Sequence, residues 1–282
     1  MDKHSVKLSG QMDGTRIFSY SDRSNLVDLA SAFSNYMKQA YPQIKEIRQV
    51  KPDHIQSFLA TKSETVTQAT LSQYGSRFNK LERLVNDSYK SCNVDFHSVV
   101  VPASTKGSSK VRTQMLAASD YQTLLSSTTN RNLRNALLLS YTCGLRAAEC
   151  SKLQAKDWNA ESGVLSIIDS KGCRSRLVKP SPQHVPAVDA LMRSSAGRIC
   201  DCQTESLQKA FRRQLEACGL TDTYGKSGAF HMARKAYATN LFTECRAQGM
   251  SVQNSLSAVS RSLGHGANRN ELMKQYICCP IQ

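Results

Sequence analysis

Six side chains scattered over nearly half of the chain have the types needed to cut a phosphodiester through a covalent protein intermediate without a metal. They are one tyrosine, two arginines, two histidines and one lysine. Gly144-Leu145-Arg146-Ala147-Ala148-Glu149 supplies the first arginine. His231 and Arg234 follow at a spacing of three, then Leu263-Gly264-His265, then Tyr276. A tyrosine hydroxyl can attack phosphorus and keep the bond energy in a phosphotyrosyl link. Planar guanidinium forks match the non-bridging oxygens and offset the charge that grows on them. A tyrosine with its ordinary pKa near 10 needs help with its proton. No tyrosine other than Tyr276 lies beyond the Leu-Gly-His segment, so no second nucleophile competes there.

Composition agrees with a polyanionic partner. Lys and Arg number 37 against 22 Asp and Glu, a net charge of +15 with a pI near 9.5, which favours nucleic acid. Residues 1–110 hold 15 basic and 10 acidic side chains, leaving 22 and 12 for residues 111–282, so both halves are basic. That pattern suits a protein that surrounds its ligand. Ten cysteines contain no Cys-x-x-Cys pair, and Cys200-Asp201-Cys202 and Cys278-Cys279 find no second pair at ligand spacing, so neither metal site nor cofactor is expected. The polar start Met1-Asp2-Lys3-His4-Ser5 and the lack of a membrane-length apolar run lead to the expectation of a cytoplasmic protein.

The elements that must position these residues divide into two halves. Residues 1–23 read as a polar lead or arm. Ser24 is the expected cap of a first helix carrying Leu26, Leu29, Phe33 and Tyr36 and stopping before Pro42. A short helix is expected over His54–Leu59, and a longer one from Ser63-Glu64 with Leu71, Tyr74, Phe78, Leu81 and Val85 on one face. Arg77, Lys80, Arg83 and Lys90 fall off that stripe and are free to meet phosphates or simply to be solvated. Residues 92–101 read as extended. The small polar run at 102–111 reads as a flexible linker in which Lys106 and Lys110 can follow a phosphate backbone.

The second half, residues 112–282, is expected to be mainly helical. Helices are predicted after Ser119-Asp120, over Asn130–Cys143 with Gly144 as its left-handed terminator, and over Ala147–Leu153. A hairpin rises through Gly163–Ile168, turns at Lys171-Gly172 and descends through Arg174–Val178. Further helices are predicted at 185–194, 205–218, 231–248, 252–263 and 270–276. The fold class is therefore mainly α with one small antiparallel sheet.

Taken together, Gly-Leu-Arg-x-x-Glu, His-x-x-Arg, Leu-Gly-His and Tyr276, in that order and with a lysine in an intervening hairpin, resemble the catalytic domain of the tyrosine recombinase/integrase family. The likeness covers roughly residues 112–282. Residues 24–101 are similar in kind to that family's helical core-binding domain. The resemblance implies that Tyr276 is the nucleophile, that Arg146, Arg234 and His265 bind the scissile phosphate, and that His231 assists the tyrosine proton. It implies that Lys171 protonates the leaving 5′-oxygen. Arg174, Arg176 and Lys179 compete with Lys171 as phosphate contacts, and its place in the turn favours Lys171. Glu149 is expected to orient Arg146 or His231.

By the same resemblance the partner is double-stranded DNA with paired inverted half-sites, bound by a homotetramer in synapsis, with accessory directionality or bending factors. Integration or excision of a mobile element is the first expectation. Resolution of plasmid or replicon dimers is the second, and a type IB topoisomerase is a rival class. Two intervals look long for the family: Arg234–His265, with an insertion expected over Glu244–Ser255, and His265–Tyr276. Six residues follow Tyr276, so any tail contact with a neighbouring protomer is expected to be a short extended segment.

Overall fold

The structure is a computed structural model that describes residues 16–17, 19–107, 114–170, 174–225, 229–267 and 269–281, without the side chains of Asp169 and Arg174. The chain divides into two compact units, Met1–Lys110 and Val111–Gln282.

The first unit is helical: α1 (Tyr20–Ala40), α2 (Pro52–Ser63) and α3 (Gln68–Ser88). Ser19, not Ser24, caps α1, its hydroxyl accepting the Asp22 N–H at 3.1 Å. The first turn has no buried side chain, so the apolar period that begins at Leu26 could not reveal it. α2 starts on Pro52, a residue whose missing N–H costs nothing at a first helical position. The helix expected from Ser63-Glu64 starts later, because the chain turns at Thr65 and Val66 and α3 begins after Thr67. Phe33, Phe58 and Phe78 meet edge to face at 5.2–5.9 Å in the core of this unit.

Residues 92–101 form no strand. They are held by polar bonds instead, with the Glu82 carboxylate accepting the N–H groups of Phe96 and His97, and the Asn86 amide bonding both ways to Val94. The start of the expected linker is also anchored. Ser104 N–H donates to Gln68, Thr105 N–H to the Ser63 carbonyl, and Gln68 N–H to the Gly107 carbonyl.

The second unit is mainly helical with one small antiparallel sheet. It runs α4 (Ala118–Ser127), α5 (Arg131–Cys143), α6 (Ala147–Cys150), β1 (Trp158–Asn159), β2 (Val164–Ser170) and β3 (Arg174–Val178). Then come α7 (Val185–Arg193), α8 (Thr204–Ala217), α9 (Thr221–Tyr224), α10 (His231–Ala247), α11 (Val252–Ser262) and α12 (Asn270–Lys274). The sheet order is β1-β2-β3, with Leu165 opposite Val178 and Ile167 opposite Arg176. β1 has two residues, too short for a period to show, and α6 stops three residues earlier than expected.

α10 is the centre of this unit. It packs against α5 and α11, and every residue from Met232 to Thr239 is buried. A helix enclosed on all sides has no amphipathic stripe. The expected insertion over Glu244–Ser255 is the end of α10, a four-residue connection and the first turn of α11, where the Ser251 hydroxyl accepts the Asn254 N–H.

Gly144 ends α5 at φ 64°, and a Cβ there would stand 2.7 Å from Tyr237 Cε1. Both the left-handed backbone and the space require glycine. Gly144→Ala is expected to cost about 3 kcal/mol from strain and overpacking and to lower Tm by about 10 °C. Calorimetry within about 2 °C of the parent would show that the turn relaxes at little cost.

Candidate active site

Arg146 occupies the cap position before α6, in extended backbone. The next turn folds Glu149 back onto it: the carboxylate accepts the Arg146 backbone N–H at 2.8 Å and its guanidinium Nη1 at 2.8 Å. One glutamate thereby fixes both ends of the arginine. A helix of four residues has no length to set that geometry by itself, so the carboxylate does.

Glu149 also collects bonds from elsewhere. Arg176 on β3 gives it two parallel hydrogen bonds at 2.9 and 2.8 Å, and the Ser170 hydroxyl at the end of β2 donates to the same oxygen as Arg146. Arg234 Nη1 on α10 lies 3.8 Å away. Burial pushes the Glu149 carboxyl up. The bonds and charge of Arg176, the Arg146 N–H and the Ser170 hydroxyl outweigh it, and the group stays far below the usual carboxylate range.

Arg234 is fully buried. Its guanidinium donates to the carbonyls of Gly144 and, at 2.6 Å, Leu263, so it ties the turn after α5 to the turn after α11. Burial first, then the charge of Arg146, lowers its pKa to about 10, still well above neutrality. Its Nε, also buried, has no hydrogen-bond partner among the described residues. The guanidinium carbon lies 5.7 Å from the centre of the Tyr276 ring.

His265 sits between two glycines in left-handed backbone, Gly264 and Gly266. Its Nε2 lies 3.2 Å from the Tyr276 hydroxyl and 3.2 Å from Arg146 Nη2. Tyr276 follows α12 by two residues, with its N–H bonded to the Met273 carbonyl. Beyond it the Cys278 N–H donates to Thr239 on α10, pinning the segment from both sides. His231, at the start of α10, meets the Tyr276 ring edge-on at 4.9 Å between centres.

Arg146, Glu149, His231, Arg234, His265 and Tyr276 are thus brought together. His265 Nε2 stands at the tyrosine hydroxyl, and Glu149, expected to orient Arg146 or His231, bonds Arg146. Lys171 and Lys110 lie outside the described residues, as does the side chain of Arg174. Arg176, expected to contact DNA phosphates, has a side chain only 6% exposed and committed to Glu149 and the Ser262 carbonyl. Strand alternation could have found this: Arg176 and Val178 share the inner face of β3, and Leu177 between them is 69% exposed. Arg83 and Lys106 are exposed, Arg77 donates to Gln73, and Lys80 is paired with Asp22. A cleft of about 520 Å³ opens beside the cluster, lined by Arg146, Glu149, Lys152, Lys156, Ile168 and Ser170 among others.

This mainly helical unit with a three-stranded sheet sets His231, His265 and Arg234 against one tyrosine. The Phage integrase family matches residues 109–276, more than half of the chain. The chain belongs to this family, the tyrosine recombinases, and is a site-specific recombinase. No curated protein sequence matches it. Among solved structures, a lambda integrase (75–356) dimer bound to a COC′ core site is similar at a TM-score of 0.65 and 16% identity, over 98% of this chain and 95% of that one. XerH site-specific recombinase bound to palindromic difH substrate gives 0.61 and 16%, over 89% and 73%. The Tn1549 transposon integrase in complex with transposon right end DNA gives 0.60 and 12%, over 98% and 94%. These likenesses establish the fold.

Glu149→Gln removes the one negative charge among three guanidinium groups and is expected to cost about 3 kcal/mol at pH 7. Because the folded-state pKa is depressed, the carboxylate's contribution is complete above its unfolded value near 4.3 and is lost as pH falls through the folded one. Urea unfolding should therefore show the gap between parent and variant narrowing from pH 7 to pH 3. An equal gap at both would mean that the charge does not stabilise the fold.

Proposed function

We propose that this recombinase cuts and rejoins double-stranded DNA through a 3′-phosphotyrosyl bond to Tyr276. The observation that carries the reading is the position of His265 Nε2, 3.2 Å from both the Tyr276 hydroxyl and Arg146 Nη2. Three motifs, one of them 119 residues from His265, meet there as nucleophile, proton acceptor and oxyanion ligand.

The Tyr276 oxygen attacks phosphorus and its proton passes to His265, which in its Nδ1–H form presents a lone pair at Nε2. The bond from phosphorus to the 5′-oxygen breaks, and Lys171 supplies the proton that the leaving oxygen needs. Arg146 holds a non-bridging oxygen. Arg234 adds charge from below, and its unpartnered Nε is a donor kept for the phosphate when the Tyr276 ring moves off it. His231 steers the ring. A 5′-hydroxyl from a second strand reverses the sequence, and neither metal nor ATP enters.

DNA is the partner suggested by the net charge of +15 and by the DNA-bound forms of lambda integrase, XerH and Tn1549 integrase. The first unit is read as a core-binding domain, with Arg77, Arg83, Lys106 and Lys110 toward phosphates. Paired inverted half-sites fit the palindromic substrate of XerH, and a homotetramer in synapsis follows from exchange between two duplexes. Integration or excision of a mobile element is the first reading of its role, and resolution of plasmid or replicon dimers the second.

With a nicked target duplex that traps cleavage, the parent should form an adduct stable on a denaturing gel and insensitive to EDTA. Tyr276→Phe should form none. An adduct in the Phe variant would remove Tyr276 from its role.

A further inference from the structure

Arg176 belongs to neither the phosphate-binding set nor the solvated surface. Every nitrogen of its guanidinium is spent inside the protein: Nη1 and Nη2 on the two oxygens of Glu149, and Nε on the Ser262 carbonyl at 2.8 Å. Those two acceptors support His265, which meets the Tyr276 hydroxyl, and Arg146, which meets the same nitrogen of His265. Glu149 holds Arg146 by its backbone N–H and its Nη1. Ser262 opens the turn Ser262-Leu263-Gly264 that delivers His265, and the Arg176 side chain lies under that turn, so that a Cβ on Gly264 would come within 3.0 Å of its Cδ.

We propose that Arg176 is a positioning residue for DNA cleavage, setting Arg146 through Glu149 and His265 through the Ser262 carbonyl. It joins β3 to both turns at once, and a bidentate fork fixes direction as well as distance. Without it, Glu149 keeps a weaker set of partners. The carboxylate could then rotate, carrying Arg146 with it, and the histidine turn would lose the charged brace that Arg176 gives it from the sheet. A displacement of about 1 Å at the reacting groups is enough to cost about 10²-fold in rate. Arg176 has no part in DNA affinity on this reading, since its side chain is 6% exposed.

The inference rests on the reading of Tyr276 as nucleophile, and its test separates the two. Single-turnover adduct formation on the nicked duplex would be measured at saturating DNA for the parent, Arg176→Met, Arg176→Lys, Glu149→Gln and the Met/Gln double variant, beside Kd, its salt dependence and Tm. Arg176→Met should slow adduct formation about 10²-fold with Kd and its salt slope unchanged, and Arg176→Lys should recover part of the rate. In the Glu149→Gln background the Met substitution should cost less than in the parent, because part of the path it acts through is already broken. A purely structural residue would give additive losses. Parental rates in Arg176→Met, additive losses in the double variant, or a raised Kd with a salt slope smaller by about 1 would each overturn the proposal. If Arg176→Met does not fold, Arg176→Lys decides, a slower rate at parental Kd supporting the proposal and a parental rate overturning it. No adduct from the parent protein would instead overturn the phosphotyrosyl reading itself.

Discussion

One buried carboxylate holds the catalytic unit in register. Glu149 is surrounded by Arg146, Arg176 and Arg234, from the turn before α6, from the sheet and from the central helix. A single arginine buried there would be costly, and three without a counter-charge would be prohibitive. With Glu149 present, each has a partner or an opposite charge within 3.8 Å. The cluster still carries three positive charges against one negative. That surplus is the electrostatic character of the site: a phosphodiester brings a charge of the missing sign, so binding substrate relieves what folding leaves unbalanced.

The same cluster explains the division of labour between the arginines. Arg146 is 22% exposed and has a nitrogen directed to His265 at the open side. Arg234 and Arg176 are the inner pair, each giving hydrogen bonds to carbonyls at turns. Guanidinium groups suit this because five donors in a plane can serve a carboxylate and a backbone carbonyl together, which an ammonium cannot do with fixed geometry. The turns after α5 and α11 are thereby fastened to the core by charge-assisted bonds, and the two motifs they carry need no support from regular structure.

Much of this was legible in the sequence. The apolar periods marked α3 and α5, the glycine at 144 marked a left-handed helix end, and the order of the short motifs marked the site. What escaped was structure without a period. The first turn of α1 buries nothing, β1 is two residues long, and residues 92–101 are held by Glu82 and Asn86 rather than by a ladder. Arg176 was misread because a basic residue in a basic hairpin looks like a phosphate contact. Its neighbours carried the correction, since Val178 and Leu177 assign the inner and outer faces of β3.

The tyrosine is where order and mobility have to be reconciled. Tyr276 is only 9% exposed, its ring set beside His231 and over Arg234, and Cys278 pins the chain just beyond it to Thr239. A hydroxyl held there by His265 is oriented, yet the ring also covers the charge that a phosphate would seek. Arg234 Nε has no hydrogen-bond partner among the described residues, at the cost that any buried orphan donor carries. One nitrogen of His265 meets both the tyrosine hydroxyl and Arg146, so a phosphate bound to these two groups would pull the hydroxyl toward itself. The ring's attraction to Arg234 opposes that movement, and a cation beneath an aromatic face is worth only about 0.5–2 kcal/mol. A doubly charged contact between guanidinium and phosphate is stronger than that. The ring is therefore held over Arg234 by a preference of only about one to three RT, small enough for a bound phosphate to outweigh it.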